Sequence, residues 1–316
     1  MVGTTLEQPV ALGLKTADAP HMSDIMPSSR RPTFLTQLAE PFTRPVKQAI
    51  ASEVVAIFND RSRDEKPIVR SADGLFGPES VVWRVHGDVT TMMVGGVAAL
   101  LLQMLHPAVL AGVWDHSNFR EDMLGRLRRT ARFISITSYA SRQEAEAVIA
   151  HVRAIHSRID GALADGTPYS ANDPKLLAWV HATETVSFLD AWIQYGEPRM
   201  TMADQDRYFA EMARIAEALG ADPVPTRRAD MMRFITRMRR ELGADARTRE
   251  VAALILGRHP DNRSTDPLQA IGFQAAIDLL PPWARRMHGL SASGLTRPLV
   301  QAGTYGIART LRWVFR

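Results

Sequence analysis

The chain contains no cysteine. That absence excludes a disulfide-stapled scaffold, a thiol nucleophile, an iron–sulfur cluster, a thiolate-ligated haem and every zinc site built on sulfur, so any metal must sit on histidine or carboxylate. Lysine is nearly missing too: 4 lysines stand beside 34 arginines, and with 34 acidic residues the formal net charge is only +4. So small an excess does not by itself indicate nucleic-acid binding. Nor is there a long apolar run. The most apolar stretch, Val89 to Leu105, holds Gly95, Gly96 and Gln103 and ends at His106-Pro107, short of the roughly 20 residues that span a bilayer. It reads as a buried core helix, with the paired glycines serving close helix packing. Residues 1–30 carry Glu7, Lys15, Asp18, Asp24, Pro9, Pro20 and Pro27 where the apolar centre of a secretory signal would lie, so a cytoplasmic protein is expected.

What remains is the composition of an ordinary globular protein: 46% apolar and 23% charged over 316 residues, enough to bury a sizeable core. Residues 1–40 alternate small, polar and proline residues without periodicity and predict a poorly structured N-terminal arm. The rest, 41–316, predicts one large all-α domain. Helix starts are marked by a capping box at Ser141 and Glu144, by Thr201 before Asp204, and by Asp173-Pro174 and Asp266-Pro267. Stops are marked by Gly161, Gly166, Gly196, Gly220, Gly243 and Gly257. Between them apolar residues recur at three and four, as in Val148, Val152, Ile155 and Ile159, while no strict alternation survives beyond a few residues.

Chemistry is carried by histidine and arginine. His156 has Ile149, Val152 and Ile159 at helical spacings, so its imidazole lies along an apolar face. A core histidine bonded to a backbone carbonyl fits this pattern, and so does the proximal ligand of a haem. His181 is followed one turn later by Glu184, which predicts a His–Glu hydrogen bond or, alternatively, a second candidate ligand. His21, His259 and His288 lie in the arm or near helix ends and read as surface residues. Glu-x-x-His pairs and His-Glu-x-x-His are both absent, which removes most of the weight from di-iron and zinc-hydrolase chemistry. Arg126, Arg129 and Thr130 share one helical face that continues into Phe133, Ile134 and Thr137. It is either a surface helix with packed arginine stems or a pair of guanidiniums held over an anion, with a hydroxyl beside them.

In order, the chain presents Gln103 to Val109, His116-Ser117, Arg126-x-x-Arg129-Thr130, Arg153-x-x-His156 and Trp179 to Thr183. Over about residues 75–245 this set resembles the family that includes the latex-clearing rubber oxygenase and the mycophenolic-acid pathway oxygenase MpaB. The resemblance implies a globin-like, all-α domain that binds haem b through one histidine and has an O2-dependent activity. It carries the family's Arg-x-x-Lys-Thr element onto Arg126, Arg129 and Thr130, and its proximal histidine onto His156. Arginine at 129 replaces a lysine that could ligate iron, so a lysine-closed, six-coordinate resting state is not expected. The family's proposed catalytic glutamate has no counterpart here, and polyisoprene is not the expected substrate.

The resemblance thus implies an oxygenase with His156 on the iron, Arg126 and Arg129 acting on propionates or bound dioxygen, Thr130 as hydrogen-bond donor, and His106 and His116 on the distal wall. The expected partners are O2 and a small, largely apolar organic substrate. A haem- or lipophile-binding protein without turnover is the competing expectation, and a helical nucleic-acid-binding regulator is disfavoured by the apolar continuation of the Arg126 face. Residues 299–316 predict a last helix packed on the core or, in second place, a weak membrane-surface contact.

Overall fold

The computed structural model describes residues 67–258 and 266–314. The predicted arm (1–40), with His21, and the loop residue His259 lie outside them. Among the described residues the fold is all-α except for one two-stranded hairpin.

At its centre two helices run antiparallel. Helix α2 (Val89–Gln103) begins at Asp88, whose carboxylate accepts the Thr91 amide at 2.9 Å, and α6 (Pro174–Tyr195) begins at Asp173, which accepts the Lys175 and Leu176 amides. Both are apolar nearly all round because neighbours cover them on several sides. A Cβ at Gly95 would lie 2.8 Å from the Ser187 carbonyl oxygen and 2.9 Å from Phe188 Cα, so the two backbones meet only because residue 95 has no side chain. Of the glycine pair, Gly95 therefore does serve helix packing, whereas a Cβ at Gly96 would meet only the Phe188 ring at 3.6 Å.

Around this pair the core divides into two clusters. On one side α1 (Val81–His86), α7 (Met202–Leu219) and α8 (Arg228–Met238) enclose Trp179, Tyr208, Phe209, Met231 and Phe234. On the other, α3 (Pro107–His116), α9 (Ala246–Ile255), α10 (Pro267–Leu279) and α11 (Pro282–His288) enclose Leu101, Leu105, Phe119, Ile277 and Leu280. Val109, Leu242 and Trp283 touch both clusters. His288, read from sequence as a surface residue, is buried here. Its Nε2 bonds to the Leu101 carbonyl at 2.8 Å, because the short α11 turns its last residue inward against α2.

The last helix, α12 (Arg297–Val314), seats Thr304 and Ala308 fully in the core. Its Arg312 donates to the Asp88 carboxylate at 2.6 Å and to the Tyr195 carbonyl at 2.9 Å, tying the end of the fold to the start of α2 and the end of α6. The packed-helix expectation for this segment holds, with Phe315 and Arg316 outside the described residues.

Helices α4 (Met123–Tyr139) and α5 (Arg142–His156) form an antiparallel hairpin that leans on α1 and α7. The predicted capping box at Ser141 and Glu144 is made, and Arg153 reaches the Ala218 carbonyl at 3.0 Å. The inner side of this hairpin is only half buried at Phe133, Ile134, Val148 and Val152, and Ile155, counted on that face by spacing, faces solvent instead. Gly161 and Gly166 are not helix stops. Helix α5 has already ended at His156, and the two glycines belong to a hairpin of β1 (Asp160–Ala162) and β2 (Pro168–Ser170), in register at Gly161 opposite Tyr169. Gly166, at φ +86°, makes its turn, which alternation over three residues could not announce.

Candidate functional site

Helix α4 begins at Asp122, whose carboxylate accepts the Gly125 amide at 2.7 Å, and its first turns carry the arginine cluster. Arg126 is half buried and donates to Ser117 Oγ at 3.1 Å. Burial, aided by the neighbouring Arg129 charge, holds its guanidinium below the ordinary value. Arg129 is exposed and makes long contacts of 3.5 Å to Asp122 and Asn118. Thr130 is exposed too, its hydroxyl turned back onto the Arg126 carbonyl at 3.2 Å. The two arginines thus face different environments, one against the protein and one against solvent. The Arg126 anchor, Ser117, directly follows His116, whose Nε2 lies 3.4 Å from the Tyr169 hydroxyl, and that hydroxyl donates to Asp115 at 2.9 Å. Burial and then the Asp115 carboxylate push the Tyr169 phenol up to about 12.

His106 stands at the other end of α3, ten residues or about 15 Å along the helix axis. It caps the helix: its Nδ1 accepts the Ala108 amide at 3.3 Å, and its ring packs 6.5 Å from that of Trp179. An accepting Nδ1 carries no proton, so the ring proton sits on Nε2, which is buried without a partner. His106 is therefore a hydrogen-bond donor awaiting an acceptor and cannot offer Nε2 as a metal ligand.

His181 and His156 differ from it. His181 is buried on α6 with Nε2 unpartnered, and desolvation lowers it to about 4. His156, the last residue of α5, is half buried with Nδ1 buried and unpartnered, and desolvation lowers it as well. Neither ring makes a hydrogen bond, so both are neutral imidazoles with free lone pairs. The hydrogen bond to a backbone carbonyl that an ordinary core histidine would make is absent at His156. Because α4 and α5 run antiparallel about the turn at Ala140 and Ser141, residue 126, fourteen positions before that turn, and residue 156, fifteen after it, come to the same level of the hairpin.

The hydrogen bond expected between His181 and Glu184 does not form. Pairing them as ions would place both charges in an apolar wall. Instead His181 stays neutral, and burial raises the Glu184 carboxyl to about 7. Glu184 is half buried near Tyr208, whose phenol is raised first by burial and then by the charges of Glu184 and Glu211. Tyr208 in turn bonds to His86 Nε2 at 2.9 Å, and His86 Nδ1 to Ser138 Oγ at 2.8 Å. Sequence reasoning passed over this buried chain, because its members lie on three helices and no spacing links them. Tyr169 escaped notice for a similar reason, sitting in what reads as a turn-rich loop.

Two depressions lie away from these histidines. One, enclosed and of about 90 Å³, is lined by Leu102, Val186, Ile235, Leu280 and Trp283 and is too small for a cofactor. The other is an open cleft of about 650 Å³ between Arg239, Arg240, Arg286, Trp283 and Met287. Among the described residues no group of three or more His, Cys, Asp or Glu side chains converges.

Residues 83–314 match the family described as ER-bound oxygenase mpaB/B'/Rubber oxygenase, catalytic domain. The chain belongs to this family. The mpaB/rubber oxygenase match runs from within α1 to the end of α12, on the C-terminal side well beyond the segment that carries the sequence resemblance, and it makes this an oxygenase-family catalytic domain. No curated protein and no solved structure matches the chain.

Proposed function

We propose that this domain is a haem b-dependent oxygenase acting on a small, largely apolar organic substrate with O2. Buried imidazole nitrogens without a partner occur on His106, His156, His181 and His288, and the observation that carries the proposal is the one on His156, at the level of the half-buried Arg126 guanidinium. A buried polar atom without a partner costs roughly 1 to 3 kcal/mol, and a neutral imidazole of this kind on an oxygenase-family domain suits the single axial ligand of a haem. Haem, when bound, would supply the oxygen chemistry.

In this reading His156 holds the iron. It is neutral, it makes no competing hydrogen bond, and it ends a helix at the level of Arg126, whose half-buried guanidinium suits a propionate carboxylate. His106 donates its Nε2 proton toward dioxygen or a substrate oxygen, and His181 supplies a neutral wall. Arg129, being exposed, contributes less than Arg126, while Thr130 needs its hydroxyl released from the Arg126 carbonyl to donate elsewhere. Glu184 offers a carboxyl that exchanges a proton near neutral pH. The half-buried apolar side chains of the α4–α5 hairpin, Phe133, Ile134, Val148 and Val152, are the surface that would receive an apolar substrate. Binding without turnover would use the same residues, and stoichiometric O2 consumption with product formation separates the two.

The test is reconstitution of the purified chain with haem b. A Soret band at one haem per chain and O2 uptake on adding apolar substrates are the expected results. No Soret band after reconstitution would remove the proposal.

A further inference from the structure

Helix α12 is apolar on two sides. One side, through Thr304 and Ala308, is seated in the core. On the opposite side an exposed stripe runs through Leu299, Ala302, Gly306 and Trp313, at the three- and four-residue spacing of a single helical face, and Leu295 is exposed in the 3-10 turn Gly294–Thr296 that leads into the helix. Leu295 is fully exposed at 101% and Leu299 at 74%, and of the eleven exposed large apolar residues in the described structure four, Leu295, Leu299, Tyr305 and Trp313, fall between positions 295 and 313. A core helix has no need of this second stripe, and exposed leucines at helical spacing cost solvation unless something covers them.

Charge says what the cover is. The last acidic residue of the chain is Asp278, and from 279 to 316 there are six arginines, Arg285, Arg286, Arg297, Arg309, Arg312 and Arg316. Arg312 is engaged with Asp88, whereas Arg297 and Arg309 are exposed and have no ion-pair partner in the described structure. Arg309 lies on the exposed side itself, between Gly306 and Trp313 in sequence. A second copy of the chain packed symmetrically on this stripe would bring arginine against arginine. An anionic lipid surface meets every part of it: leucines for the acyl boundary, a tryptophan for the interface and guanidiniums for the head groups. Among the described residues no single helix is long and apolar enough to cross a membrane, which leaves α12 lying flat. We propose that the outer face of α12 docks this domain peripherally on an anionic lipid bilayer.

The inference is independent of haem, and the full chain tests it without cofactor. Truncating α12 would be the wrong experiment, since it strips Thr304, Ala308 and Arg312 from the core. Leu295→Glu/Leu299→Glu alters only exposed positions and leaves the melting temperature unchanged. Wild-type protein is expected to co-sediment with vesicles containing phosphatidylglycerol more strongly than with phosphatidylcholine alone, and the leucine pair variant to lose about tenfold or more in partition coefficient. Arg297→Gln/Arg309→Gln is expected to lose at least about fivefold on anionic vesicles only. Wild-type protein that stays in the supernatant with anionic vesicles overturns the proposal. So does equal pelleting of the leucine variant. Sedimentation velocity showing a wild-type dimer that this variant converts to monomer overturns it in favour of self-association.

Discussion

Arg126 Nη1 donates to Ser117 Oγ at 3.1 Å from a half-buried position, while Arg129, three residues on, stands in solvent. The pair that sequence places on one face is therefore unequal. Arg126→Leu should weaken haem retention by about 1.5 to 3 kcal/mol, the worth of a charge-assisted hydrogen bond, and Arg129→Leu by less than about 1 kcal/mol. Haem titration of both variants, followed at the Soret band, measures the difference. Equal losses would mean that the two guanidiniums share one ligand.

His156→Ala should abolish stoichiometric haem binding and leave far-ultraviolet circular dichroism unchanged, because the ring is half buried and makes no hydrogen bond whose loss would unsettle the fold. His106→Ala should retain haem but lower turnover, since its protonated Nε2 is a donor. Loss of haem in His181→Ala with retention in His156→Ala would move the ligand to α6.

Stability should peak in mildly acidic to neutral solution. His86 and His181 are lowered to about 3 and about 4 by burial, so the native state binds fewer protons there than the unfolded chain. Their contribution is complete above the ordinary value of 6.5 and is lost as pH falls toward 4. Glu184 is raised to about 7, so the native state binds more protons than the unfolded chain, and its contribution is lost as pH rises from the ordinary 4.5 through 7. Glu184→Gln should accordingly be more stable than wild type above pH 7, on the order of 1 kcal/mol after allowing for its partial exposure, and no more stable near pH 4. Urea midpoints across pH 4 to 8 read both limbs.

Much of the scaffold was legible. Ser141, Thr201, Asp173 and Asp266 cap the helices where their spacing says they should, because a cap is a local bargain between a side chain and amides two or three residues away. Gly95 was legible for a like reason, as a glycine inside an apolar helix has few uses. The site was only half legible. Spacing put His156 on an apolar face and could not say that its ring lacks a partner, nor that His106 spends its Nδ1 on a cap. His288 was misjudged because burial by a helix distant in sequence leaves no periodic mark, and the chain from Ser138 through His86 to Tyr208 is assembled wholly from such distant contacts.

Gly95→Ala should be destabilising by about 1 to 3 kcal/mol, the cost of an added methyl group against backbone that cannot yield as a flexible side chain would. Gly96→Ala, whose Cβ would meet only the Phe188 ring edge at 3.6 Å, should be tolerated with at most a few tenths of a kcal/mol lost to strain. Thermal melts of the two neighbours make a matched pair. Similar losses in both would show that α2 can shift away from α6.

The bond between Arg312 and Asp88 spans 224 positions of the chain. While the protein is being made, the carboxylate that opens α2 has to wait through all of those positions for its cation. Before then α2 and α6 can form and bring Gly95 against Ser187, with the Asp88 carboxylate held by the Thr91 amide that it caps. Order of synthesis and order of stabilisation therefore run in opposite directions across this fold: the central pair is made early and is tied together only when Arg312 arrives at the Asp88 carboxylate and the Tyr195 carbonyl.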